Sequence, residues 1–170
     1  MRVILGIDPG LACTGFGILE IEGNRQKHIE HGVISTEAGQ PRGLRLTTIY
    51  NTLDGIIHRF KPTEAGLESL FFAKNTKTAF AVAEARGVIQ MCLSIRDVPC
   101  TEYTPLQVKQ AVVGGGRAEK RQIQHMIKMI FRLSEIPKPD DAADALAIAL
   151  CHANNSQMQW AIRSARTRHV

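Results

Sequence analysis

The chain has 170 residues, of which 44% are hydrophobic and 22% charged, with a formal net charge of +5. That composition suits one globular domain with a substantial core and favours an anionic partner, nucleic acid first. It excludes a membrane span, which needs ~20 consecutive apolar residues, and the N-terminus lacks the layout of a signal peptide.

In chain order, alternating apolar residues predict strands over 3–8, 14–21 and 28–35, joined by short Gly- and Asn-containing turns. Such short connections make an antiparallel meander. Leu46, Ile49, Leu53, Ile56, Ile57 and Phe60 follow at helical spacing, and Pro62 marks the stop. A strand is expected over 64–70, a helix over 76–96, a strand over 100–103, and helices near 106–112, 119–133 and 140–152. The pattern predicts an α/β domain with a mixed five-stranded sheet flanked by helices. It extends over residues 1–155, with a flexible basic tail at 156–170. Cys13, Cys92, Cys100 and Cys151 are scattered without a CxxC pair, which fits the reduced thiols of a cytoplasmic protein and argues against a zinc site.

The carboxylates carry the chemistry. Asp8 ends the apolar run Val3-Ile4-Leu5-Gly6-Ile7, and Glu68 lies inside a second apolar strand, AGLESLF. A glycine precedes each acid by two residues, on the same sheet face, leaving room for something to approach. In KPDDAADALAIAL, Asp141 and Asp144 share one face of an alanine-rich, thin helix that can lie close to a sheet. Asp140 reads as a helix-capping acid, and Asp141 has the same reading open to it, but Asp144 lies beyond the capping positions. Asp8 taken alone reads equally well as a strand acid accepting backbone hydrogen bonds. The combination points further. Buried like charges are costly unless paired or metal-bound, and hard carboxylate oxygens suit Mg²⁺ or Mn²⁺. Two such ions ~4 Å apart serve phosphodiester hydrolysis.

Four segments, GIDPGLACTGFGIL, ESLFFAKNTKTAFAVAEARG, QVKQAVVGGGRAEKRQIQHM and DDAADALAIALCHA, resemble in order the motifs of the RuvC family of bacterial Holliday junction resolvases. The resemblance covers nearly the whole chain. It implies an RNase H-like fold and Mg²⁺-dependent resolution of four-way junction DNA by a homodimer, with Mn²⁺ as a substitute, leaving 5′-phosphate and 3′-hydroxyl ends. It further implies partnership with a RuvA–RuvB branch-migration complex and a role in DNA recombination and repair. The family's acids fall on Asp8, Glu68, Asp141 and Asp144, with Asp140 an extra neighbour that leaves open which of 140 and 141 faces the metal. Lys109 and Lys120 match DNA-contacting positions. Phe71 matches an aromatic position suited to stacking on an unpaired base, with Lys74 and Lys77 beside it. Arg121 heads a basic stripe with His125, Lys128 and Arg132, readable as a DNA contact or as a solvated face. The helix over 76–96 is apolar on most sides, which fits either burial within a monomer or a partner subunit.

Two other readings compete. An actin-like ATPase or sugar kinase opens with a similar strand, Asp-Gly turn and Thr-Gly, but needs a second phosphate loop and an adenosine motif that this sequence lacks. A non-catalytic junction-binding protein would have no use for four converging acids.

Overall fold

The computed structural model describes residues 1–69 and 76–167, and the side chains of all these except 76–78 and 157–167. Five strands, β1 (Arg2–Asp8), β2 (Cys13–Glu22), β3 (Arg25–Ser35), β4 (Glu64–Glu68) and β5 (Cys100–Tyr103), form one sheet in the order β3-β2-β1-β4-β5. The first three are antiparallel neighbours, whereas β4 runs parallel to β1 and β5 parallel to β4. The helices are α1 (Arg42–Phe60), α2 (Thr76–Ile95), α3 (Pro105–Val113), α4 (Lys120–Ile130) and α5 (Asp140–Thr167). No described helix is long and apolar enough to cross a membrane.

β1 is the central strand, and helices cover both of its faces. That is why Ile4, Leu5, Gly6 and Ile7 are all buried and read as a continuous apolar run. Side chains alternate between the faces. Leu5 and Ile7 join Ile49, Leu53 and Ile89 of α1 and α2 in one core, while Ile4 joins Leu146 and Leu150 of α5 in the other. Gly6 and Asp8 therefore face α5.

Glycines determine how closely α5 lies on the sheet. Gly17, Gly6 and Gly66 stand side by side across β2, β1 and β4. A Cβ on Gly6 would sit 2.2 Å from the Ala145 carbonyl oxygen, and one on Gly15 would sit 2.0 Å from that of Asp141. The space beside each acid noted in the sequence is thus filled by α5, by its backbone at Gly6 and chiefly by the His152 and Ile148 side chains at Gly66. Its Ala142, Ala143, Ala145, Ala147 and Ala149 are buried there, with no bulk to hold the two layers apart.

Several boundaries differ from the sequence reading, and β3 begins at Arg25 where 28 was expected. β4 ends at Glu68, where 64–70 was expected. α4 ends at Ile130, and Arg132 takes a left-handed backbone (φ 52°), so it leaves the basic stripe. α5 continues to Thr167, because the polar residues after His152 still permit helix.

Candidate active site

Asp8 is the last residue of β1 and Glu68 the last of β4, adjacent parallel strands that end level with each other. Asp141 and Asp144 descend from the first two turns of α5, which the Gly6 and Gly15 contacts hold against the same strand ends. Three separate elements thus bring four acids to one end of the sheet.

Their charges act on one another. Burial, followed by the charges of Glu68, Asp144 and Asp141, pushes the Asp8 carboxyl up to about 8. Burial and Asp144 raise Glu68, which also shares a hydrogen bond with Asp8. A protonated Asp8 donating to an ionised Glu68 satisfies both groups. Asp144 is likewise raised by burial, against the pull of Lys120.

Lys120 supplies the cation within the cluster. Its Nζ lies 3.0 Å from Asp144 Oδ2 and 3.3 Å from Asp140 Oδ2. Burial lowers the ammonium, but its bonds to Asp144 and Asp140 more than offset this and hold it above its ordinary value. The position of Lys120 follows from local structure. The Gln122 side chain accepts from the Glu119 backbone N–H at 3.0 Å, fixing the start of α4 one residue before the lysine.

The two neighbouring aspartates part company. Asp140 is exposed and accepts from Gln124 Nε2 at 2.9 Å, facing α4. Asp141 turns toward Asp8 and the Cys13 thiol of β2, raising both their pKa values. The donor set is oxygen throughout and suits a hard divalent cation in type and charge. Among the described residues, no three His, Cys, Asp or Glu side chains are drawn closely enough together to form a finished metal cage. The Lys120 ammonium offsets part of the acids' charge.

Lys109 and Lys120 line, with Glu68 and Asp144, a cleft of about 200 Å³ between α3, α4 and α5. Arg121 is exposed on the outer side of α4. Phe71 and Lys74 lie outside the described residues, as does the side chain of Lys77.

Arg86 is not among the site residues that the sequence suggests. It is 7% exposed, donates to the backbone carbonyl of Glu68 and pairs with Glu102 at 2.8 Å. Gln90 also donates to Glu102, at 2.8 Å. Arg86 thus holds the end of β4 in place beneath the Glu68 carboxylate. A buried arginine in an apolar helix was the available signal, but its partners are distant in sequence.

A mixed sheet in this strand order, with helices on both faces and its first strand central, defines an RNase H-like fold. The family model described as crossover junction endodeoxyribonuclease RuvC matches residues 4–152, and the chain belongs to the RuvC family. It is 53% identical to the RuvC of Brevibacillus brevis over 150 residues, 88% of this chain and 90% of the relative. Against that of Desulforamulus reducens, identity is 52% over 158 residues, 93% and 94% of the two chains. The solved structure of Thermus thermophilus RuvC in complex with a Holliday junction substrate superposes with a TM-score of 0.89 at 34% identity, covering 94% of this chain and 97% of that one.

Proposed function

We infer that this chain is a crossover junction endodeoxyribonuclease that resolves Holliday junctions by paired cuts in DNA recombination and repair. The observation that carries the reading is the convergence of Asp8, Glu68, Asp141 and Asp144 from three elements at one end of a sheet, in a chain of the RuvC family. Nucleases of this family depend on a metal ion. In our reading the four acids hold Mg²⁺, two ions per site, with Mn²⁺ able to replace it. Bound there, the ions would polarise the scissile phosphate and lower the pKa of the attacking water. Lys109 and Lys120 hold the phosphate in the cleft, and Arg121, Lys74 and Lys77 bind the backbone of the junction arms. Phe71 stacks on a base exposed at the crossover. The products carry 5′-phosphate and 3′-hydroxyl ends.

The same reading makes the active form a homodimer, because two-fold symmetry suits paired cuts on opposite strands. The exposed Phe80, Met91 and Ile95 of α2 support it as an apolar surface available to a second copy. A cytoplasmic location, service to a RuvA–RuvB branch-migration complex, and the division into a nuclease domain (1–155) and a basic tail (156–170) belong to the same proposal.

The test is incubation of an end-labelled four-way junction with the protein and Mg²⁺, beside a linear duplex of the same sequence. Symmetric paired nicks in the junction alone are expected. Binding without cutting would leave a junction-binding protein. ATP hydrolysis without cutting would leave the kinase-like reading.

A further inference from the structure

A groove of about 440 Å³ lies between the end of α3 and the outer side of α4, lined by Val113, Gly115, Arg117, Ala118, Gln122, His125 and Met126. It is separate from the acid cleft but shares α4 with it. Its floor is apolar and its rim cationic or hydrogen-bonding, and no carboxylate lines it.

Each polar group on the rim has donors or an acceptor to spare. Arg117 is exposed and has no ion-pair partner among the described residues. Gln122 uses its carbonyl oxygen on the Glu119 backbone, which leaves its NH₂ group open. His125 Nδ1 lies 2.8 Å from the Arg121 carbonyl oxygen. A carbonyl only accepts, so the proton sits on Nδ1, and Nε2 is left for a ligand. Arg121 and Lys128 continue the positive charge along the same helix.

We propose that this groove is a second DNA subsite, in which Arg117 binds a backbone phosphate of the cut strand while Gln122 and His125 contact the adjoining nucleotide over the apolar floor. The inference rests on the nuclease reading above. α4 links the two places: Lys120 of the acid cleft and Gln122 and His125 of the groove stand on its first two turns, and Arg117 lies just before it. A protein ligand is disfavoured by the cationic rim, which an ordinary mixed-charge surface would not complement.

The experiment uses the full chain and a fluorescent four-way junction, with binding measured in chelator over a salt series and cleavage measured in Mg²⁺. The variants are Arg117→Ala and Gly115→Leu. The second fills the groove from a position whose Cβ meets nothing within 4 Å. Arg117→Ala is expected to lower affinity several-fold and flatten the log K versus log salt slope by about 0.9. Gly115→Leu is expected to weaken binding without lowering the melting temperature. Single methylphosphonates, which remove one phosphate charge, are then scanned through three nucleotides on each side of the cut. One such substitution is expected to weaken the wild-type protein but not Arg117→Ala. If the wild type cuts and no scanned phosphate couples to Arg117, the subsite is wrong and the nuclease reading stands. Variants that bind and cut as the wild type would overturn the subsite. A wild type that binds junctions without cutting overturns the nuclease reading instead, and the scan still decides the groove.

Discussion

Lys120 and Asp144 face each other across the mouth of the acid cluster, Nζ to Oδ2, at 3.0 Å. The first turn of α4 thereby supplies a cation to acids borne by α5, β1 and β4. The family resemblance marks Lys120 as a DNA contact, and its second bond to Asp140 keeps it beside the acids while the cleft is open to a phosphate.

Removing that cation leaves the carboxylates to repel one another. Lys120→Met is expected to melt modestly lower in chelator, since a half-exposed pair contributes little. It is also expected to gain more melting temperature than the wild type when millimolar Mg²⁺ or Mn²⁺ is added, because preferential binding to the folded state stabilises it. Thermal melts with and without each ion measure both. An identical ion response in the two proteins would separate Lys120 from the metal position.

The proposed function assigns cutting and binding to different residues. On that reading Asp8→Asn, Glu68→Gln and Asp144→Asn are each expected to reduce junction cleavage by ~10²-fold or more, because each would remove a group placed to act on the reacting phosphate. Junction affinity stays within a few-fold, since cationic residues supply most of it. Lys109→Ala shows the converse, a shallower salt dependence of binding. Parallel gel-shift and single-turnover assays separate the two effects, and a variant that cuts at the wild-type rate leaves the catalytic set.

Asp8 also makes a prediction about stability. It is raised from 3.8 to about 8, so between those values the folded chain holds a proton that the unfolded chain releases. Raising the pH strips that proton, and the metal-free protein loses stability from about pH 4 to pH 8. His28, His31 and His152 act in the opposite sense, because burial lowers their pKa values and favours the neutral form. Their effect is common to wild type and Asp8→Asn and cancels in the difference. In chelator, Asp8→Asn is therefore expected to gain steadily on the wild type in melting temperature as pH rises from 5 to 8.5. A constant difference would mean that Asp8 ionises normally.

Much of this site is visible in local sequence. An acid closing an apolar run, a glycine two residues before it and an alanine-rich helix opened by acids are short-range patterns, and each survives in the structure. What they could not supply is pairing. The glycines beside Asp8 and Glu68 promised room, but only the sheet register shows that Gly17, Gly6 and Gly66 form one row that α5 fills. Arg86 could not be assigned, because its partner Glu102 lies on β5, beyond the end of α2. Arg132 left the basic stripe for a local reason, a left-handed turn after Ile130, that hydrophobic periodicity does not encode.

Asp140 and Asp141 differ in their partners. Asp140 is exposed and tied to Gln124 and Lys120, whereas Asp141 acts on Asp8 and Cys13. Asp141→Asn is expected to lose most cleavage, and Asp140→Asn to keep most of it with a stability change of roughly 0.5–1 kcal/mol through loss of a helix-terminal charge. Cleavage rates and urea midpoints of the two variants decide it. The reverse ranking would put Asp140 at the metal.

The glycine row gives the last prediction, since it links packing to chemistry. A methyl group on Gly6 would meet the Ala145 carbonyl oxygen at 2.2 Å and the Ala149 backbone nitrogen at 2.5 Å. Both are backbone atoms, so no side-chain rotation relieves the clash and α5 must lift from β1. On Gly17 the nearest atom is Leu146 Cδ2 at 2.8 Å, part of a side chain that can turn but is backed by its own Cα at 3.0 Å. On Gly66 the nearest is His152 Cβ at 3.1 Å, a contact that a few tenths of an ångström relieve. Overpacking a close-packed core costs about 1–3 kcal/mol, more where backbone must move. The expected order of destabilisation is therefore Gly6→Ala, then Gly17→Ala, then Gly66→Ala. Gly55→Ala is a control in α1 with nothing within 4 Å, and is expected to be more stable by ~0.5–1 kcal/mol through helix propensity. Lifting α5 also draws Asp141 and Asp144 away from Asp8. Gly6→Ala is accordingly expected to lose cleavage beyond its loss of folded protein, while Gly66→Ala cuts in proportion to its folded fraction. Urea unfolding of the four variants, with cleavage rates normalised to folded protein, tests both halves. A Gly6→Ala protein as stable as the wild type would show that α5 does not rest on the backbone of β1, and the convergence of the four acids would need another explanation.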